Sequence, residues 1–588
     1  MSQYAIELCQ LIIEDFFGQI VLATVNTLFF HGRLSLGEIC KISKLQKKYV
    51  KKALVVLIQH NFVLFSTVIE GFYELTYYET TWKEILNILR YGKEILIISK
   101  KISKEAGAIL KYIHCHGKVK VQDLYAVFCP LKDKNNEEYI SVQSTITHML
   151  QKRYLRVVLL HQLKPDYDLE NDLRNKELEK NRFSKIGETK KSKEILKNIK
   201  KNLQSLKDEE MDPNLGLKKK DVDLIEQRYK RQKKNGDSSY ILDENVFLRV
   251  NHEKFITISR NADLVQLVEN RIGKATAQVY CHILQQLEVQ NNSNNQENTI
   301  TTMSILQTFP KDIDLSKTFI TVPDNDNKSI KMDSDEEIPL INDFYPNETP
   351  DKMAIDTNEF SKKLEEDDTS RIYDLNYRER LKHIVQHLEA LSQDSYPLLF
   401  KIEAKHFGKW KVDYKQLSCL LQELEYEKII EHKFGYIATR LLRIIREKGK
   451  VDEKQLASIA FLKQQSIRPI LMALTEIGAL DIQEIPRRSE RQPSSIYFLW
   501  FHRFERAKSI LIDSIYQEIS YYHRHLKNEL KQRQKLLTKI ERTDVQEHEK
   551  ELLPVNEQQE LKYFRAIEEK ILIQISRLDR LIMILRDY

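Results

Sequence analysis

Glycine and proline are scarce in this 588-residue chain, with 15 and 13 residues. Loops that cradle phosphates or build oxyanion holes lean on exposed backbone and glycine, so the scarcity argues against catalysis. No G-x-x-x-x-G-K-[ST], G-x-G-x-x-G, G-x-S-x-G or H-E-x-x-H occurs. The six cysteines (9, 40, 115, 129, 281 and 419) form no C-x-x-C pair. Neither a disulfide framework nor a zinc site is therefore expected, and a reducing compartment fits. His114, Cys115 and His116 are consecutive, which suits one tetrahedral ion poorly, and no second ligand pair follows. They read as the end of a helix before Gly117. The acidic run Asp333 to Glu337 reads as a solvated segment rather than a metal cage. No apolar stretch reaches the roughly 20 residues of a bilayer-spanning helix. The opening MSQYAIELCQ has no basic region followed by an apolar core, as a signal peptide would. The expectation is a soluble intracellular protein with no catalytic site, no metal, no cofactor and no membrane segment.

The chain is several times longer than one hydrophobic core needs, which predicts about three to five domains. Hydrophobic residues make up 41% and charged residues 30%, and the net charge is +7. That charge is uneven. Residues 171–240 hold 20 Lys/Arg against 13 Asp/Glu, and residues 321–370 hold 5 against 15. A moderately basic body with an acidic insert fits a chain that touches nucleic acid as part of a larger assembly.

One order of elements recurs along the chain. Residues 1–82 read as helices, a capping box at Ser35 and Glu38, a helix over about Leu45 to His60 opened by Ser43, and two β-rich runs turning at Glu70-Gly71. Helices followed by a two-stranded hairpin is the order of a winged helix. Residues 83–165 repeat it, with helices at Ala106–His116, Val121–Phe128 and Val142–Lys152 and a strand at Leu155–Leu160. Residues 239–415 repeat it in broken form, around an Asn/Gln-rich insert (290–300) and an acidic insert (313–370). Residues 416–505 give the last copy. Between the second and third copies, 166–238 reads as a disordered charged linker, poor in large apolar residues, with a transient charged helix over Glu188–Leu206. From 506 to 588 the pattern changes to heptads. Ile515, Ile519, Leu526 and Leu536 fall on one seam, and Phe564, Ile571, Ile575, Leu578, Ile582 and Leu585 on another. With Pro554 between them, these read as an antiparallel coiled-coil hairpin, with a dimerising coiled coil as the alternative. The fold class is mainly α with small β-wings: four tandem winged-helix domains plus that hairpin.

The nucleic-acid candidates are basic positions. Lys44, Lys47, Lys48, Lys51 and Lys52 crowd one helix, where a recognition helix stands, and can neutralise phosphates. Base readout favours Arg, Asn or Gln, so these lysines point to backbone contact. A solvated face opposite the apolar one is the competing reading. Arg487, Arg488 and Arg491 lie between the last pair of wing strands and are candidates for phosphate or groove contact, or for contact with protein. Lys230, Arg231, Lys233 and Lys234 are similar to a short nuclear address.

These residues also carry a family resemblance. VKKALVVLIQHNFV (Val50 to Val63) is similar to the signature helix and wing strand of the third-largest subunit family of RNA polymerase III. Leu89-Arg90-Tyr91, Val268 with Asn270-Arg271, and IQEIPRRSERQPSSIYFLW (Ile482 to Trp500) resemble it in the same order, as does the terminal RLIMILRDY. The resemblance implies a non-catalytic subunit acting in promoter recruitment and DNA opening. It implies a heterotrimer with a second winged-helix subunit and a small acidic subunit, related to general transcription factor IIE alpha. The trio sits on the clamp of the largest subunit and meets TFIIIB and upstream or melted DNA in the nucleus. The products would be tRNA, 5S rRNA and other small RNAs. The family has no catalytic residues to transfer. The long 166–238 segment and the 313–370 insert depart from its pattern. The alternative is a winged-helix scaffold of another nuclear or ubiquitin-related assembly.

Overall fold

The computed structural model describes residues 2–70, 73–129, 137–180, 188–210, 215–219, 240–291, 298–310, 315, 378–403, 407–486, 496–542, 545 and 552–588. These residues are mostly helical, with small antiparallel sheets. The chain divides into two compact bodies, one mainly of residues 1–260 and 418–588, the other mainly of 261–291 and 295–417.

The larger body begins with α1 (Gln3–Phe17) and α2 (Gln19–His31), separated by Gly18 at φ 82°. Strand β1 (Leu34–Ser35) leads into α3 (Leu36–Ser43), whose start carries the Ser35/Glu38 capping box. Then come α4 (Lys47–Gln59) and the hairpin β2 (Val63–Glu70) and β3 (Tyr73–Thr80). The sheet order is β1-β3-β2, so the last strand is central. This order returns in each of the other three-stranded sheets among the described residues.

After α5 (Trp82–Leu86), a short 3-10 turn and α6 (Tyr91–Lys101) comes α7 (Lys104–His116). It ends at Gly117, φ 77°. Strand β4 (Val119–Lys120), α8 (Val121–Phe128), α9 (Glu137–Gln151) and β5 (Leu155–Val157) follow. The central strand of their sheet is not adjacent in sequence. It is Phe247–Val250, pairing Val119 with Leu248 on one side and Leu155 with Val250 on the other. The boundary expected at 165 is therefore corrected, because this sheet closes only after residue 247. Leu248 and Val250 bury into the core formed by Ile109, Leu110, Ile146 and Leu155.

The stretch between these strands also departs from the expected disordered linker. It holds α10 (Asp166–Lys180), α11 (Glu188–Glu210) and the paired strands β6 (Leu217–Lys219) and β7 (Tyr240–Leu242). Low apolar content hid this because few groups do the packing. Ile195 and Ile199 are buried, and buried Asp168 bonds Arg33 at 2.8 Å. Residues 220–239, including Lys230, Arg231, Lys233 and Lys234, lie outside the described residues. Past Phe247–Val250 (β8) comes α12 (His252–Arg271), which belongs to the larger body up to Arg260 and to the smaller from Asn261.

The smaller body carries α13 (Lys274–Asn291), β9 (Thr299–Thr301), α14 (Thr302–Thr308), α15 (378–393), β10 (Phe400–Glu403) and β11 (Lys409–Lys411). Its sheet order is β10-β11-β9. Thr302 begins α14 and accepts a 2.9 Å bond from the indole of buried Trp410, while its own hydroxyl donates to the Phe407 carbonyl at 2.8 Å. The acidic insert lies outside the described residues apart from Leu315.

The larger body resumes at Ser418 within α16 (Tyr414–Phe434) and continues with α17 (Tyr436–Lys448), β12 (Val451–Asp452), α18 (Glu453–Ala460), α19 (Gln464–Glu476), β13 (Asp481–Pro486) and β14 (Ile496–Phe501). Two long helices follow: α20 (Phe504–Gln532), extended by α21 (Gln534–Ile540), and α22 (Val555–Ile582). They run in opposite senses, since Lys539 pairs with Glu557 at 2.6 Å while Tyr516 accepts from Arg586 at 2.9 Å. Of the heptad residues, Ile515, Ile519, Leu536, Phe564, Ile571, Ile575, Ile582 and Leu585 are buried. Leu526 and Leu578 are partly buried. The break at Glu529 and Arg533 is an ion pair one helical turn apart, with Arg533 lying over the Phe564 ring. The seam is not a free-standing coil. Ile515, Ile519, Ile571, Ile575 and Leu585 share one core with Leu8, Ile12, Val25 and Leu57 of the N-terminal helices. Lys527 on α20 pairs with Glu14 at 2.7 Å and Asp15 at 3.1 Å on α1.

Candidate nucleic-acid interface

Helix α4 forms because its apolar residues fall at i, i+3, i+4 and i+7. Val50, Ala53, Leu54 and Leu57 are all buried. The opposite face is therefore solvent-facing and carries Lys48, Lys51 and Lys52, while Lys47 opens the helix seven residues before Leu54; all four are exposed. None of the four forms an ion pair among the described residues. Exposed Tyr49 and Val55 flank them. Lys44 corrects the sequence reading. It is not on this helix but ends α3, in left-handed backbone at φ 55°. Ser43 belongs to α3 as well, and α4 opens from Gln46. Lys44 is also exposed.

The far end of α4 is held from behind. The last carbonyls of a helix lack intrahelical donors. Here Lys118 supplies two, its ammonium reaching Ile58 O at 2.8 Å and its amide Gln59 O at 3.0 Å. Gly117 permits this approach, since a Cβ there would stand 2.4 Å from Gln59 O. Burial, with the Arg249 charge adding to it, pulls the Lys118 ammonium down to about 8. Burial likewise pulls His60 down to about 4, helped by the charges of His116 and Lys118.

Beside this contact lies a buried polar cluster that sequence reasoning missed. Glu94 accepts from His252 at 2.8 Å and faces His114 at 3.1 Å, and Tyr91 stacks on His114 at 3.9 Å between ring centroids. Burial alone would raise Glu94, but the His252 charge and bonds from both imidazoles hold it below the usual carboxylate range. Burial opposes charge on His252 too, yet Glu94 raises it above the ordinary histidine value. For His114 burial prevails and lowers it. The sequence signal was present in His114 and Tyr91, but their partner His252 is far away in the chain.

A second buried ionic group ties the C-terminal helices to the same region. Arg90 donates to Asp579 at 3.1 Å and pairs with Asp587 at 2.7 Å, and Lys93 donates to Ser576 O at 2.8 Å. Arg586 lies over the Trp82 ring.

The counterparts of α4 in the other sheets are less basic. Helix α9 exposes Ile140, Ser144 and His148, and α19 exposes Gln465, Pro469, Met472 and Arg468, the last paired with Glu453 at 2.7 Å. Arg487, Arg488 and Arg491 stand between β13 and β14 in sequence and lie outside the described residues. Among the described residues no helix is long and apolar enough to cross a membrane.

Comparison with known proteins places the whole chain. The family model described as RNA polymerase III subunit RPC82 matches residues 144–420, its helix-turn-helix domain residues 7–68, and the POLR3C C-terminal winged-helix domain residues 426–502. The DNA-directed RNA polymerase III subunit RPC3 of Yarrowia lipolytica is 30% identical over all of this chain and 98% of its own length. The chain belongs to the RPC3 family of RNA polymerase III subunits. Relatives of the same name from Botryotinia fuckeliana and Coccidioides immitis are 26% and 27% identical, each over the full length of both chains. Residues 7–68 of the helix-turn-helix match run from within α1 almost to the end of β2, and so contain α4. The C-terminal winged-helix match contains β12, β13 and β14.

Proposed function

We propose that this RPC3-family chain is a non-catalytic subunit of nuclear RNA polymerase III that acts by binding. Its four three-stranded units are winged helices in tandem, and α20 to α22 form the antiparallel hairpin that closes onto the first of them. Nucleotide addition belongs to the largest subunits. This chain joins a second winged-helix subunit and a small acidic subunit on the polymerase clamp, and meets TFIIIB and promoter DNA. The observation that carries the DNA assignment is α4: four exposed lysines without ion pairs among the described residues, three of them opposite a buried apolar face. Each can neutralise one phosphate without reading sequence. Opening follows if these contacts favour the melted state over the duplex, a population shift rather than chemistry. The alternative of a scaffold in another assembly calls for relatives of another kind, and the matched relatives carry the polymerase III name along the whole chain.

The test is purification of the tagged chain at moderate salt, with mass spectrometry of what accompanies it. The full set of polymerase III subunits is expected, and a different complex would overturn the assignment. In the same preparation, Lys47→Glu, Lys48→Glu and Lys51→Glu together should lower promoter-dependent transcription without loss of any subunit. Unchanged initiation would remove α4 from the DNA path.

A further inference from the structure

Helix α11 belongs to the segment inserted between β5 and β8, and it has two unlike faces. Ile195 and Ile199 are buried, and Asn198 donates to Glu177 of α10 at 3.2 Å. Opposite them, Lys193, Lys197, Lys200, Lys201 and Lys207 are exposed. At 100° per residue these five fall within one half of the helix circumference. From Lys193 to Lys207 they extend about 21 Å at 1.5 Å per residue.

The acids of α10 do not neutralise this face. Asp168 is committed to Arg33 at 2.8 Å, Asp172 to Lys164 at 2.6 Å, and Glu177 is buried, while the exposed Asp166, Glu170 and Glu179 form no ion pair with this face among the described residues. Exposed Asp208 stands on the lysine face itself and accepts from Gln204 at 3.0 Å. None of the five lysines forms an ion pair among the described residues. Nor is the insert loosely attached. The turn at Leu160–Leu163 packs against β2, and Arg33, which holds Asp168, also lies over the Tyr77 ring of β3. The base of the insert is thus fixed to the wing sheet of the unit that carries α4.

We propose that α11 is a second contact for the backbone of duplex DNA, a lysine rail that lengthens the path begun at α4. This rests on the reading of α4 as a phosphate-facing helix, but it makes a separate claim about separate residues. The chemistry favours nucleic acid over a protein partner. Protein hot spots draw on Trp, Tyr and Arg set in desolvated pockets, whereas this face offers strongly hydrated point charges and no aromatic ring. Such a face binds without sequence preference and with strong salt dependence.

The experiment measures binding of the full chain to a short DNA duplex across a salt series. One variant carries Lys193→Gln, Lys197→Gln, Lys200→Gln and Lys201→Gln. A second carries Lys47→Gln, Lys48→Gln and Lys51→Gln. All seven side chains are exposed, and circular dichroism checks that the fold is kept. If the four rail lysines each release a counterion, the slope of log affinity against log salt flattens by about 3.6, so about 10²-fold less affinity is lost between roughly 50 and 200 mM salt. A flattened slope in the first variant supports the rail, whatever the second does. An unchanged slope in the first variant overturns the rail, and a flattened slope in the second then leaves the α4 reading standing. Loss of a polymerase subunit from the first variant with its slope intact also overturns the rail, and makes α11 a protein-docking surface.

Discussion

Arg90 offers the sharpest test of how the ends of the chain are held together. Its guanidinium is 5% exposed and faces the Asp579 carboxylate, 3% exposed, and Asp587, 14% exposed. Replacing it by alanine leaves the buried Asp579 carboxylate with only the Lys93 ammonium, 3.8 Å away, while Asp587 keeps Arg586 at 2.6 Å. Breaking a buried pair from one side costs about 3–5 kcal/mol. In a multidomain chain that loss need not appear as one global transition. It should appear as local opening of α22, with amide exchange there faster by about 10²- to 10⁴-fold. Hydrogen exchange read by mass spectrometry on wild type and Arg90→Ala gives the number. Arg90→Met combined with Asp579→Leu should recover most of the protection, because an apolar pair of similar volume is often neutral. Exchange in α22 within about threefold of wild type in Arg90→Ala would refute the reasoning, since the pair would then be solvated or redundant. The pH dependence has a definite sign. Burial pushes the Asp587 carboxyl up, but Arg586 and Arg90 hold it below its ordinary value. Its contribution is present above the unfolded carboxylate range and is lost as pH falls through the folded value, so α22 should open in acid.

The Glu94 cluster should respond at both ends of the pH scale. Glu94 is depressed, so its contribution fades as pH falls through its folded value; His252 is raised, so its contribution fades as pH rises through its own. Glu94→Gln should flatten that profile in thermal melts, and an unchanged profile would place the titration elsewhere. Gly117→Ala should cost about 1–3 kcal/mol, because φ 77° is poor for alanine and the new methyl meets the Gln59 carbonyl; a neutral melt would show that this approach can relax. Leu585→Ala should cost about 2–5 kcal/mol from a fully buried site, measured by denaturant unfolding of the larger body.

Much of this fold can be read from local pattern. The spacing of Val50, Ala53, Leu54 and Leu57 makes α4 and turns its lysines outward, and the heptads around Ile515 and Ile575 mark two helices with one apolar seam. What escapes is whatever depends on distant partners. Strand β8 is only Phe247–Val250, and nothing local says that it completes a sheet begun at Val119. The helices of the insert look disordered by composition because their anchors are few apolar groups, such as Ile195 and Ile199, and polar ones, such as buried Asp168 and Glu177. Lys44 was misplaced by a matter of three residues, the distance between a helix cap and the helix that follows. The ionic groups at Arg90 and Glu94 could be seen only as scattered polar letters until the fold joined residues 489 and 158 positions apart.

That joining has a consequence for how the lysine helix works. The apolar face of α4 shares a core with the C-terminal helices through Leu57 and Ile515, and its last carbonyls are capped by Lys118 from the next unit. The helix is therefore clamped on one side and at one end, while its lysines face outward. Long lysine side chains hold a phosphate poorly unless the backbone beneath them is fixed, since ordering each costs rotamer entropy. A rigid support removes the backbone part of that cost in advance. On the proposed reading of α4 as a phosphate contact, loosening α22 through Arg90 should then weaken DNA binding even though Arg90 is buried. Such a loss should be of similar size at every salt concentration, because the number of phosphates contacted is unchanged. Loss of lysines should instead change the salt slope itself. The two classes of variant thus separate the support of the helix from its charge.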